Sequence, residues 1–259
     1  MSITSTYDRT VGQLACDLPV SIRVFEAWKI DYCCGGRTSL EDACAAVGKS
    51  VPEFIAAVEA AAKTPASNAR DWTLHSLRAV SADITRTYHT YTREELATLA
   101  PLGSKVLSVH GDRRPELAEV VALIHELTSD MLPHMLKEEQ ILFPYVEQLE
   151  IASENNTPAP IPFFGTVKNP VRMMMLEHDR VGELLERLRV TTSGYSAPES
   201  ACFSYRELYR RLADFEQRTH EHIHIENNFY FPRATKLEER AGSPQDFAPA
   251  HACGTSSCA

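Results

Sequence analysis

Residues 134–144 read HMLKEEQILFP, and residues 222–232 read HIHIENNFYFP. His134, Glu138, Phe143 and Pro144 return 88 residues later as His222, Glu226, Phe231 and Pro232. Upstream of each copy stands one more histidine, His89 and His178, 89 residues apart. The chain is thus written twice: a lone His on one helix, then His-x-x-x-Glu on the next. An internal repeat constrains the architecture before any local signal does. Four helices, four histidines and two carboxylates about a pseudo-twofold axis predict an all-α protein, with a four-helix bundle enclosing a dinuclear metal site.

The residue types suit that purpose. A His and a Glu at i and i+4 lie one above the other on a helix face. Two such helices present two His–Glu pairs to a common point, and the lone histidines of the other two complete the set. Ferritin-type di-iron bundles use a related Glu-x-x-His spacing with more carboxylates. Imidazole suits Fe, Zn, Cu and Ni, while carboxylates suit harder cations and can bridge. Two bridging Glu and two His per metal leave each ion short of six ligands, so an oxo or hydroxo bridge would fill one position and leave another open. The expected cofactor is two Fe ions, though these ligands also admit manganese or zinc.

Taken singly, none of these residues carries the argument. A lone helical His is ordinarily a surface or satisfied core residue. One His-x-x-x-Glu is ordinarily a surface pair worth a few tenths of a kcal/mol. A solvated pair has no reason to recur with the same Phe-Pro behind it and a His at the same interval ahead. The repeat also fixes the register in the last helix. His220 and His224 form a second i, i+4 pair, but they lie roughly 200° around the helix from His222 and are expected on an outer or partner-facing side. Asp130, one turn before His134, and Glu177, beside His178, are candidates to orient the histidines, or else plain solvated carboxylates.

Composition narrows the remaining classes. The chain has 259 residues, 44% hydrophobic and 24% charged, with a net charge of −9. An acidic chain without a basic block is a poor partner for nucleic acid, whose affinity rests on phosphate contacts. No apolar run approaches the roughly 20 residues that span a bilayer, and the start, MSITSTYDRT, lacks a signal-peptide pattern. The reading is cytoplasmic, with no membrane partner. An odd number of irregularly spaced cysteines, seven in all, then argues for reduced thiols.

Along the chain, residues 1–63 read as a small helical domain. VGQLACDL follows Thr10 as N-cap, and SIRVFEAWKI is expected to stop at DYCCGG, where the glycine pair would take positive φ. SLEDACAAVG ends at Gly48, and a capping box of Ser50 and Glu53 opens EFIAAVEAAA. So short a unit buries little core and is expected to be marginal alone or to dock, which leaves room for a homodimer. Residues 64–71 read as a linker and 72–240 as the bundle. Pro101 is expected to end the first long helix near Leu99, and Pro133 to bend the second beside His134. Residues 151–168 form a Pro-rich crossover, and 241–259 read as a disordered, Cys-containing tail.

Cys33 and Cys34 are adjacent, and consecutive Cα atoms about 3.8 Å apart are too close for an unstrained disulfide. The pair suits reaction with an external partner or shared ligation of a soft species; the plainer reading is one core thiol and one incidental. Cys16, Cys44 and Cys202 read as core. Cys253 and Cys258, with His251, form at most a loose metal or redox arm.

IDYCCGG (30–36), KEEQILFP (137–144), GTVKNPVRMMMLEHDRVG (165–182) and HIHIENNFYFPRA (222–234) together resemble the RIC family of iron–sulfur cluster repair di-iron proteins, whose main domain is hemerythrin-like. The resemblance covers about residues 1–240. It implies His89, His134, His178 and His222 as terminal iron ligands and Glu138 and Glu226 as bridges. It gives Cys33 and Cys34 a part in redox, nitric-oxide or iron-transfer chemistry. It implies damaged iron–sulfur proteins and nitric oxide or oxygen species as partners, and repair after nitric-oxide or oxidative damage as the function. Thr92 stands where many relatives carry a further His, and the tail cysteines fall outside the family pattern. Rival readings are a hemerythrin-like protein that binds or senses nitric oxide or oxygen, and an oxidoreductase turning over nitric oxide or peroxide. Whether the chain is an enzyme stays open.

Overall fold

The computed structural model describes residues 9–33, 35–63 and 72–241. The linker reading at 64–71, the tail reading and Cys34 lie outside the described residues. Within them the fold is all helical, and the single strand-like feature is an isolated antiparallel bridge between Thr10 and Ser39.

The N-terminal unit holds four short helices, α1 (Val11–Asp17), α2 (Val20–Trp28), α3 (Leu40–Ala46) and α4 (Val51–Ala62). Side-chain caps start three of them. Thr10 and Gln13 form a capping box on α1, Ser39 caps α3, and Ser50 with Glu53 forms the expected box on α4. Each such cap is worth about 1 kcal/mol. Phe25 stacks on Phe54 at 5.0 Å and on Tyr32 at 5.9 Å, centring a small core with Leu14, Val24 and Leu40.

The end of α2 corrects the sequence reading. Lys29, at φ 57°, is the left-handed residue that closes it, not the glycine pair. Gly36 is needed for a different reason. A Cβ there would lie 2.6 Å from Asn228 Oδ1, and one at Gly12 would lie 2.2 Å from the same atom. Both glycines permit the unit to press against the bundle.

The bundle consists of four long rods. α5 (77–110) joins Leu77–Asp83 and Thr90–His110 through a π turn at Ile84–His89. α6 (116–155) joins Glu116–Lys137 and Phe143–Asn155 through a π turn at Glu138–Leu142. α7 is Lys168–Thr191, and α8 (203–241) joins Phe203–Ile225 and Phe231–Ala241 through a π turn at Glu226–Tyr230. Pro101 does not end α5. The helix runs on to His110 because Gly103 and Val106 keep its inner face packed on α6, and that packing outweighs one lost hydrogen bond. α6 likewise continues through Pro133 to Lys137.

α5 packs on α6 and α8, and α6 packs on α7; the seam between α7 and α8 is looser. The Cys33 loop lies over that seam, beside a cleft it shares with Asp179, Glu183, Glu216 and His220. Two apolar cores fill the bundle, one around Leu127, Leu185 and Phe215 and one around Ile84, Val146 and Tyr230. No helix of the described residues is long and apolar enough to cross a membrane.

Candidate metal centre

The repeat delivers its residues to one place. His89 closes the π turn of α5, and Glu138 and Glu226 open those of α6 and α8. A π turn carries one residue more than an α turn, which shifts the side chains beyond it and is common at functional sites. His89, His134, Glu138, His178, His222 and Glu226 are all buried, none more than 1% exposed. They fall into two quartets that share both carboxylates: His89, His222, Glu138 and Glu226, and His134, His178, Glu138 and Glu226. Within each quartet the donor atoms lie within 4.8 Å of one another.

Glu138 Oε2 stands 3.4 Å from both His89 Nε2 and His134 Nε2. Glu226 spans the other pair, with Oε1 2.9 Å from His222 Nε2 and Oε2 3.2 Å from His178 Nε2. His89 and His222 face each other through Nε2 atoms 3.2 Å apart, and His134 and His178 through Nε2 atoms 3.0 Å apart. Each carboxylate therefore reaches both histidine pairs.

The outer nitrogens explain why the inner ones point inward. His89 Nδ1 donates to Glu139 Oε1 at 2.7 Å, His134 Nδ1 to Glu177 Oε2 at 2.9 Å, and His178 Nδ1 to Asn227 Oδ1 at 2.8 Å. Donation from Nδ1 leaves the Nε2 lone pair facing the centre. Arg93 binds Glu139 at 2.8 Å and Lys137 binds Glu177, so each orienting carboxylate is itself held. His222 Nδ1 has no hydrogen-bond partner among the described residues; its ring stacks on Tyr88 at 5.6 Å. The repeated phenylalanines have a matching duty. Phe143 stacks on His89 at 5.8 Å and Phe231 on His178 at 5.9 Å, each covering the lone histidine of its own half.

The donor set fits a pair of cations. Burial, helped by the facing histidine, pushes His89 and His134 down to about 4, so the rings are neutral near pH 7. His134 and His178, whose Nδ1 atoms both donate outward, then set Nε2 lone pair against Nε2 lone pair at 3.0 Å. Among the described residues both oxygens of Glu138 and Oε2 of Glu226 lack a hydrogen-bond partner. Burial, then the neighbouring Glu226, raises the Glu138 carboxyl well above its ordinary range. A fully buried carboxylate without donors costs several kcal/mol unless a cation or proton neutralises it. Positive charge between the quartets relieves the lone-pair repulsion and the carboxylates together.

Other expectations fare differently. Glu177 does orient a histidine, but it is His134 on the neighbouring helix. Asp130 turns away to Arg180, 3.5 Å off. His224 is buried against the N-terminal unit, edge-on to Tyr32 at 5.2 Å, and His220 lines the cleft under the Cys33 loop. Cys44 is core and Cys16 half-buried, but Cys202 is exposed, with its Sγ 3.2 Å from His110 Nε2. Cys202 is the N-cap position of α8, and it is its neighbours Ala201 and Tyr205, not Cys202, that enter the core. Cys33 is buried, outside any disulfide, and its side chain joins the bundle core while Sγ donates to Asp31 Oδ1 at 3.2 Å. Glu139 and Asn227 were not foreseen. Their signal was available, since each directly follows a repeated Glu and they are repeat mates.

The family profile described as Hemerythrin HHE cation binding domain matches residues 80–234. A second, ScdA_N, described as a domain of unknown function, matches residues 7–62. A probable iron-sulfur cluster repair protein of Haemophilus influenzae is 32% identical over 224 residues, covering 86% of this chain and 95% of its own length. The iron-sulfur cluster repair protein YtfE of Yersinia pseudotuberculosis is 34% identical over 235 residues, covering 89% and 98%. The chain belongs to this family. That of Pectobacterium atrosepticum is 34% identical over 231 residues, with the same coverage. In these repair-family terms the duplicated bundle is the hemerythrin portion, and all six clustered residues fall inside its match.

Proposed function

We propose that this chain repairs iron–sulfur clusters damaged by nitric oxide or oxidative stress, from the cytoplasm, by supplying iron or by handling nitric oxide. His89 and His222 would hold one iron and His134 and His178 the other, with Glu138 and Glu226 between them. When bound, such a pair supplies redox-active, exchangeable iron and an open position for a small diatomic ligand. The protein's own part is to hold three of the four imidazoles in one tautomer through Glu139, Glu177 and Asn227, and to keep both oxygens of Glu138 and one of Glu226 without a hydrogen-bond partner among the described residues. Cys33 and Cys34 would meet the damaged client or pass iron or nitric oxide.

The observation that carries this reading is the pair of buried quartets sharing both carboxylates. Relatives that carry repair in their names, and that match nearly end to end, support the choice among di-iron roles. The test is recovery of activity in a cluster enzyme inactivated by nitric oxide, on adding the iron-loaded chain. Recovery that needs Glu138 is expected. No recovery, together with tight reversible nitric-oxide binding unaffected by Cys33→Ser and Cys34→Ser, would replace repair with gas binding.

A further inference from the structure

We infer that Asn227 is a positioning residue that ties the Cys33 loop to the His134–His178 side of the centre, so that seating the loop and holding an ion there are one linked equilibrium. The inference rests on the proposed metal centre and goes beyond it.

Asn227 directly follows Glu226 in the π turn of α8. Its Oδ1 accepts from His178 Nδ1 at 2.8 Å, and its Nδ2 donates to the Cys33 carbonyl at a longer 3.4 Å. The reverse assignment of the amide would face its oxygen to the carbonyl oxygen, so both partners specify the same orientation. The repeat mate Glu139 performs the same duty for His89 but can only accept, and its second partner is the cation Arg93. An amide is what the position needs when it must accept from a histidine on one side and donate to a carbonyl on the other.

The carbonyl it holds belongs to a fixed loop. Asp31 accepts from the Cys33 N–H at 2.9 Å, from its Sγ at 3.2 Å and from the Gly35 N–H at 2.9 Å. Next door, Asn228 Nδ2 donates to the Tyr32 carbonyl at 3.2 Å, with Gly12 and Gly36 closing on its side chain. Asn228 thus seats the unit without touching a histidine of the centre, while Asn227 touches both. An ion bound through His178 Nε2 requires Nδ1 to donate, which fixes the Asn227 amide and, through it, the Cys33 carbonyl. By linkage, a seated loop favours the ion by the same factor.

The experiment uses the full chain, metal-free or loaded anaerobically with ferrous ion. It measures iron content and the rate of Cys33 alkylation by iodoacetamide, read by peptide mass spectrometry. In the wild type iron should slow alkylation about tenfold, within the usual range of coupling between sites. Asn227→Asp keeps an acceptor for His178 but loses the donor to Cys33, so it should bind iron and show no slowing. It should also change the Mössbauer quadrupole splitting of one iron of the pair. Asn228→Ala should speed alkylation in both forms while iron still slows it. If Asn227→Asp is slowed by iron as the wild type is, or its splittings are unchanged, the coupling is overturned. A wild type that takes up iron with no change at Cys33 overturns the coupling alone. A wild type that takes up no iron overturns the metal-centre reading beneath it.

Discussion

Glu177 and His134 lie 43 positions apart on different helices and meet at 2.9 Å. The hydrogen bond from His134, opposed by partial burial and helped by Lys137, pulls the Glu177 carboxyl down to about 2. It is therefore charged at any physiological pH and fixes the His134 ring. Glu177→Gln removes that charge and should weaken metal affinity about 10- to 100-fold, the usual cost of losing such a partner. Competition with a graded chelator measures it; an unchanged affinity would show that His134 needs no anchor.

The shared carboxylates predict an unequal response to mutation. Wild type should carry two irons per chain in an antiferromagnetically coupled pair, seen by metal analysis and Mössbauer spectroscopy. Glu138→Gln and Glu226→Gln each disturb both quartets and should bring iron below one per chain. His134→Ala removes a corner of one quartet and should leave the other ion, uncoupled. Zinc, or one iron in the wild type, would refute the dinuclear assignment.

In metal-free protein, pH should act through the imidazoles. His89 and His134 have folded values near 4 against an ordinary 6.5. The unfolded chain then binds protons first as pH falls, so stability is full above about 6.5 and lost progressively down to about 4. The loss is on the order of 3 kcal/mol for each ring. Urea unfolding of the chelator-treated chain between pH 7 and pH 4 tests the sign. A midpoint that rises on acidification contradicts it.

The seat of the N-terminal unit should be breakable at one methyl group. Gly36→Ala puts a Cβ 2.6 Å from Asn228 Oδ1 and 3.0 Å from the Tyr32 carbonyl. Overpacking of this kind costs about 1–3 kcal/mol. Limited proteolysis should become faster within 9–63, and small-angle scattering should show a larger particle. The bundle's own unfolding should barely move, since its cores do not include Gly36.

The duplicated stretch carried most of this architecture on its face. His-x-x-x-Glu at a fixed interval names the helices, their inner faces and the six residues that cluster. The caps at Thr10 and Ser50 were equally legible, because a cap is a local hydrogen bond, while sequence alone left Thr38 and Ser39 as alternatives for the third helix. What stayed hidden depends on how helices turn against one another. Asp130 and Glu177 looked alike in sequence, and only the rotation of α7 against α6 sends one to His134 and the other to Arg180. The π turns leave no compositional mark: the added residue shows only as a shift in the phase of the apolar stripe. Pro101 reads as a stop in the sequence because its local cost is visible there, while the packing of Gly103 and Val106 that overrides it is not.

The two histidines of each quartet come from opposite halves of the repeat: His89 with His222, and His134 with His178. One half by itself owns three of the six side chains and no complete quartet. Two identical halves, brought together, would rebuild the arrangement around a true axis. Because residues 156–167 join the halves in one chain, the two need not be identical, and they differ at the position that is Glu139 in one and Asn227 in the other.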